Sequence, residues 1–145
     1  MKIGYRVLLI FFVFPFLLFA AEGSEQNIKG KPEVLAIASA QQWLEIIDAG
    51  EYAEGWESAS EYLKNTVPED AFKQKLKGVR KPLGKMKKRT FVSAQYTARF
   101  PAGSDKEYVV IQFRTEFENK AYAMENLTAQ KEEDGQWRIA GYYIN

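Results

Sequence analysis

The apolar periodicity of this 145-residue chain changes once, at Lys85, and that single change limits the fold class. Before it, apolar residues recur at helical spacing. Ala36, Ala40, Trp43, Leu44 and Ile47 mark one buried helix face. Pro32 suits the first turn of that helix, and Gly50 is placed to cap its end. Tyr52, Trp56, Ala59 and Leu63 repeat the pattern in a second helix, which a short turn should fold back on the first. Thr66-Val67-Pro68-Glu69 reads as a capping box opening a third helix with Phe72, Leu76 and Val79 inward, ended by Pro82 and Gly84.

After Lys85 the period is two. Met86, Thr90, Val92, Ala94, Tyr96, Ala98 and Phe100 share one side of a long strand, with Lys87, Arg89, Ser93, Gln95, Thr97 and Arg99 on the other. Pro101 to Asp105 turns the chain. Val109, Ile111, Phe113, Thr115 and Phe117 then alternate with Gln112, Arg114, Glu116 and Glu118. A turn near Asn119-Lys120 leads into residues 121–131, and Asp134-Gly135 signals a two-residue hairpin before residues 136–144. Helices first and an antiparallel meander second predict an α+β domain: three helices packed on one face of a four-stranded sheet.

The N-terminus does not belong to that pattern. Lys2 and Arg6 precede an apolar run from Val7 to Phe19, followed by Ala20, Ala21 and Gly23. This is the order of a secretory signal peptide. The run is shorter than the roughly 20 residues a spanning helix requires. The expected organisation is a signal peptide over 1–23, a flexible leader over 24–31 and one domain over 32–145. The localisation expected is periplasmic or secreted. An uncleaved anchor is the alternative. The segment holds Lys2, Arg6 and Glu22, so the rest of a chain with 20 basic and 19 acidic residues is neutral. Neutrality gives no overall attraction to polyanions, and nucleic acid is not an expected partner.

The chain has no Cys and no His. Zinc sites built from nitrogen and sulfur ligands are thereby excluded, as are serine–histidine and cysteine–histidine nucleophile arrangements. Acid–base chemistry is left to Asp, Glu, Lys or Tyr. No metal, no cofactor and no catalytic residue is assigned. Without disulfides, the domain must be held by packing, for which it has ten Phe, eight Tyr and three Trp.

Several residues together carry a family resemblance: Trp43-Leu44, Ile47-Asp48, Gly50, Tyr52 and Trp56; Arg80 to Gly84 and Arg89; Tyr108 to Ile111, Phe113, Thr115, Phe117, Asn119-Lys120 and Glu125; and Asp134-Gly135, Trp137-Arg138 and Gly141-Tyr142. In this combination the chain resembles a family of exported bacterial proteins catalogued as domain of unknown function number four thousand and nineteen. The resemblance implies a cone-like fold of the cystatin or nuclear-transport-factor type, with a curved sheet around helices. It implies no activity, because that fold carries many unrelated functions.

Eight residues are candidates for a ligand-binding cleft: Trp43, Asp48, Tyr52, Trp56, Arg80, Arg89, Tyr96 and Glu125. Glu125 shares a row with Ala121, Ala123, Leu127 and Ala129. A carboxylate on such a row must be paired or must take up a proton. A two-residue loop sets Arg114 opposite it. A three-residue loop sets Thr115 opposite Glu125 and Phe113 opposite Leu127, and matching apolar rows favour this second register. Glu125 then needs Arg80 or Arg89. It is either a structural ion pair or a cleft carboxylate. Asp48, an acid at a helix C-terminus, opposes the helix dipole; an Asx-type turn over Asp48-Ala49-Gly50 accounts for it more simply than a cleft role. Trp43, Tyr52 and Trp56 at helical spacing read first as core. Tyr96, Tyr142 and Tyr143 bring phenols to the sheet. Asn126-Leu127-Thr128 matches a glycosylation sequon but falls mid-strand.

Charge is segregated along the chain. Residues 73–89 hold nine cations and no acid, whereas residues 45–70 hold eight acids and one cation. The blocks face each other as solvated surfaces, complement each other between subunits, or offer a docking patch to an anionic envelope polymer or lipid surface. The leading functional expectation is a non-catalytic exported module that binds a small ligand or envelope partner. The alternatives are an isomerase-like acid–base enzyme using Glu125 or Asp48, and a structural homo-oligomer, with a homodimer as the simplest form.

Overall fold

The computed structural model describes residues 30–98 and 105–145. The expected signal peptide and cleavage site, most of the expected leader, and residues 99–104 between the first two strands lie outside the described residues. Among those described there are four helices, α1 (Pro32–Asp48), α2 (Tyr52–Glu57), α3 (Glu61–Thr66) and α4 (Glu69–Leu83). Four strands follow: β1 (Met86–Thr97), β2 (Tyr108–Phe117), β3 (Lys120–Lys131) and β4 (Trp137–Ile144). The strands form one antiparallel sheet in sequence order. The fold is α+β, with the helices gathered on one face of the sheet.

α1 begins at Pro32 and ends as Gly50 allows. Gly50, at φ +79°, donates to the Ile47 carbonyl at 3.0 Å, and Glu51 donates to the Ile46 carbonyl at 3.1 Å. This pair of bonds closes the helix in a Schellman motif that few side chains other than glycine permit. α1 buries Ala36, Ala40, Trp43, Leu44 and Ile47. The expected second helix is broken in two. Ser60 leaves the helical path so that its N–H meets the Ile139 carbonyl of β4 at 3.0 Å, and its hydroxyl then accepts from the Leu63 N–H at 3.2 Å. α2 has ended at Glu57 with Ser58 as its C-cap, and Ser60 serves both as the tie to β4 and as the N-cap of α3.

The Thr66–Glu69 capping box is not formed. Thr66 Oγ1 donates back to the Tyr62 carbonyl at 2.6 Å within α3, and Pro68 takes the N-cap position of α4 with no side-chain bond. Pro82 lies inside the last turn of α4; Gly84, at φ +74°, is where the helix stops.

β2 alternates as expected, with Val109, Ile111, Phe113, Thr115 and Phe117 buried. β1 does not keep one phase. Register shifts between Met86 and Lys88 and between Phe91 and Ser93 each insert a residue. Such bulges reverse the alternation downstream. Arg89 therefore lies opposite the buried Thr115, while Thr90 lies opposite the exposed Arg114. Val92, expected on the helix side, is exposed.

The β2–β3 register also differs from both expected forms. The turn is Glu118-Asn119, a further shift lies between Thr115 and Phe117, and Phe113 pairs with Glu125, Ile111 with Leu127 and Thr115 with Ala123. The bulge supplies what a longer loop would have supplied, and Glu125 remains on the inner face. The Asp134-Gly135 hairpin is a three-residue loop rather than a two-residue one. Glu132 N–H bonds the Gln136 carbonyl at 2.8 Å, and Gly135 takes the left-handed position. A turn followed by a glycine bulge is the usual form for that length.

Candidate functional site

The inner face carries one strongly polar cluster, built from six residues on six elements. Asp48 is the last residue of α1, and Arg80 lies near the end of α4. Arg89, Thr115, Glu125 and Tyr142 come from β1, β2, β3 and β4, so each strand contributes one side chain along a diagonal of the sheet. Diagonal neighbours on one sheet face lie within reach of long side chains.

Glu125 is 0% exposed. Arg89 Nε donates to its Oε1 at 2.7 Å, Thr115 Oγ1 donates to the same oxygen at 2.5 Å, and the Tyr142 hydroxyl donates to Oε2. Arg89 turns its other two nitrogens to Asp48, at 2.7 Å and 3.0 Å. Arg80 Nη2 donates to Asp48 Oδ1 at 2.6 Å, and its Nη1 makes a longer contact of 3.5 Å to the Tyr142 oxygen. Two guanidinium and two carboxylate groups thus alternate in a chain with no net charge. Phe117 lies under the Arg80 guanidinium at 5.0 Å, and the Trp43 ring meets Tyr142 edge-on at 5.2 Å.

These surroundings set the protonation states. Burial pushes the Asp48 carboxyl upward, but hydrogen bonds and charge from Arg89 and Arg80 outweigh it and hold the group below its ordinary value. Burial works against the Arg89 cation too. Its bonds to Asp48 and Glu125 prevail, and it is raised well above the usual arginine range. Tyr142 is pushed well above 10, first by burial and then by the neighbouring Glu125 charge. Its phenol is a fixed donor.

The structure brings together Asp48, Arg80, Arg89 and Glu125 of the eight candidates. Arg89 is the partner that the buried row demanded for Glu125. The Asx turn assigned to Asp48 is overturned: its carboxylate reaches across to two arginines, and backbone bonds with Gly50 complete the turn. The dipole cost of an acid at a helix end is offset by those two cations.

The aromatic candidates divide. Trp43 is buried beside the cluster and donates to the Gly55 carbonyl at 2.8 Å. Trp56 donates to the Val67 carbonyl at 2.7 Å, so it ties α2 to the residue after α3. Tyr52 is half-buried against the core. Tyr96 stands apart, with its hydroxyl donating to Glu107. Thr115 and Tyr142 are the members that sequence reasoning did not place in the site. Their signal was parity, since both are polar atoms on otherwise apolar inner rows.

Arg80 Nε is buried without a hydrogen-bond partner, which leaves the cluster one unused donor. Among the described residues no group of three or more Asp or Glu could hold a metal ion, and no helix is long and apolar enough to cross a membrane.

Comparison with known proteins bears on this architecture. A family model described as "Protein of unknown function (DUF4019)" matches residues 39–142, a span that contains every residue of the cluster. Among solved structures, ActVI-ORFA from Streptomyces coelicolor is similar at a TM-score of 0.46 and 11% identity, over 75% of this chain and 92% of that one. No functionally curated protein matches.

Proposed function

The chain belongs to the DUF4019 family, and on that premise we propose that it is an exported, non-catalytic binding module. The observation that carries this reading is the engagement of Glu125 and Asp48. A general base must reach a substrate proton with a free lone pair. Glu125 is fully enclosed and already receives Arg89, Thr115 and Tyr142, while Asp48 receives both arginines. The cluster serves to fasten α1 and α4 to all four strands, and recognition falls to the outer surface. Export is supported by the charged n-region, the apolar run from Val7 to Phe19 and the small residues after it.

Two measurements test the reading. Alkaline phosphatase fused after residue 30 becomes active only outside the cytoplasm. Activity that depends on residues 1–23 is the expected result, and an inactive fusion overturns export. In a broad screen of isomerase, dehydratase and hydrolase substrates the purified chain turns none over. Turnover that Glu125→Gln abolishes, with the fold intact, establishes the acid–base enzyme instead.

A further inference from the structure

Charge that sums to zero after residue 23 is not evenly spread. Lys77 and Lys81 stand four residues apart on α4, Lys85 follows the Gly84 cap, Lys88 comes from β1 and Arg114 from β2. All five are exposed, and none of their side chains makes an ion pair among the described residues. Backbone geometry brings them to one end of the molecule. The β2–β3 turn is stitched to the end of α4: Asn119 donates to the Pro82 and Leu83 carbonyls, each at 3.0 Å, and Glu118 N–H donates to the Lys85 carbonyl at 2.9 Å. Lys88 lies opposite Glu116 and Thr90 opposite Arg114, so Lys88 and Arg114 leave the outer face while Arg89 between them turns inward.

On the strands and the turn of this end the acids Glu116 and Glu118 both have partners. Glu116 is paired with Lys87 at 3.2 Å, and Glu118 accepts the Lys85 N–H at 2.9 Å. Glu45 on α1, Glu51 in the turn after it, and Glu54 and Glu57 on α2 are exposed and make no side-chain ion pair among the described residues. Beside the cations, on the outer face of β3, stands Tyr122, 62% exposed and the most exposed large apolar side chain described. Its neighbour Ala123 is fully buried, so the two side chains leave the strand on opposite sides.

Cations around an exposed phenol match a surface of closely spaced anions with an interfacial layer that accepts an aromatic ring. We propose that this end of the molecule docks on the surface of an anionic phospholipid membrane. A soluble polyanion uses the cations but gives Tyr122 nothing to enter. The inference rests on reading the chain as a binding module and names its partner class; it does not depend on the state of the buried cluster.

The test is co-sedimentation of the chain from Ser24, which retains every core residue found among the described residues, with phosphatidylglycerol–phosphatidylcholine vesicles. Binding should require phosphatidylglycerol and weaken with salt. Each cation contributes about fivefold in affinity, so the quadruple variant K81Q/K85Q/K88Q/R114Q should lose on the order of a hundredfold or more. Tyr122→Ser should lose severalfold while leaving the salt dependence unchanged. K31Q/K106Q, which removes charge from the opposite end, should bind as the parent does. Circular dichroism melts verify that these surface variants fold. No binding, equal binding to pure phosphatidylcholine, or equal loss in K31Q/K106Q overturns the proposal. So does binding to soluble polyphosphate as tight as to vesicles with no effect of Tyr122→Ser. A vesicle-binding failure with the phosphatase fusion still active refutes this surface alone. Turnover lost in Glu125→Gln refutes the non-catalytic reading alone.

Discussion

Asp48→Asn separates the two arginines from the carboxylate they share, in nearly the same volume. The wild-type carboxylate accepts three charge-assisted bonds, at 2.6, 2.7 and 3.0 Å. Such bonds contribute about 1.5–3 kcal/mol each, a gross loss of roughly 4–9 kcal/mol. Two features reduce it. The amide oxygen of Asn still accepts at least one of the bonds, and the Asp48 side chain is 18% exposed, so water reaches its rim. A net loss of about 3 kcal/mol follows, the low end of what breaking a buried ion pair costs. For a domain of this size that corresponds to a fall in Tm on the order of 10 °C.

The pH dependence is the sharper readout. The folded-state pKa of Asp48 is depressed below its ordinary 3.8, so its stabilisation is fully present above that value and is lost as pH falls through the folded one. Asp48→Asn has no such group. Urea denaturation from neutral pH down to the acid limb should therefore show the wild-type curve descending toward that of the variant. A gap under about 1 kcal/mol at neutral pH, below any buried-pair estimate, refutes the energetic argument. A gap that stays constant to the lowest pH refutes the assignment of the charge.

Tyr142→Phe removes one of the donors to Glu125 and should cost about 2 kcal/mol. It should also abolish an alkaline effect: the folded phenol keeps its proton above pH 10 while the unfolded one ionises, so wild-type stability falls as pH rises past that point and the variant lacks this slope. Denaturant melts at pH 9 and 11 read both, and an unchanged slope counts against the buried phenol. Gly55→Ala places a Cβ 2.5 Å from Ile47 Cδ1. Overpacking of that kind costs about 1–3 kcal/mol, partly offset by helix propensity. Ile47→Val deletes the clashing methyl, so the double variant should lose less than the two single losses added; strict additivity in a double-mutant cycle would exclude the contact.

Much of this was legible in the chain. The helical stripe of Ala36 to Ile47 and the alternation of Val109 to Phe117 each specify a buried face, because a side chain's direction repeats with the local backbone period. Gly50 was legible as a cap for the same local reason. The need of Glu125 for an arginine followed from its place on an apolar row. Three features were not legible. The α2–α3 break follows from a bond between Ser60 and β4, 79 positions away in the chain, and no local preference encodes it. The inward turn of Arg89 follows from a β1 bulge, which reverses the alternation by inserting one residue. The role of Asp48 was hidden because a local turn explains an aspartate before Gly50 equally well.

The amino-acid order alone settled the class of fold, the buried faces of α1 and β2 and the exclusion of histidine- and cysteine-based chemistry, all of which depend on composition or on neighbours within a few residues. Tertiary structure alone decided which charges meet. Asp48, Arg80, Arg89 and Glu125 are brought together by the seating of α1 and α4 on the sheet and by bulges in its strands. A shift of one residue in β1 turns the Arg89 guanidinium out to water, and the same shift in β3 turns out the Glu125 carboxylate.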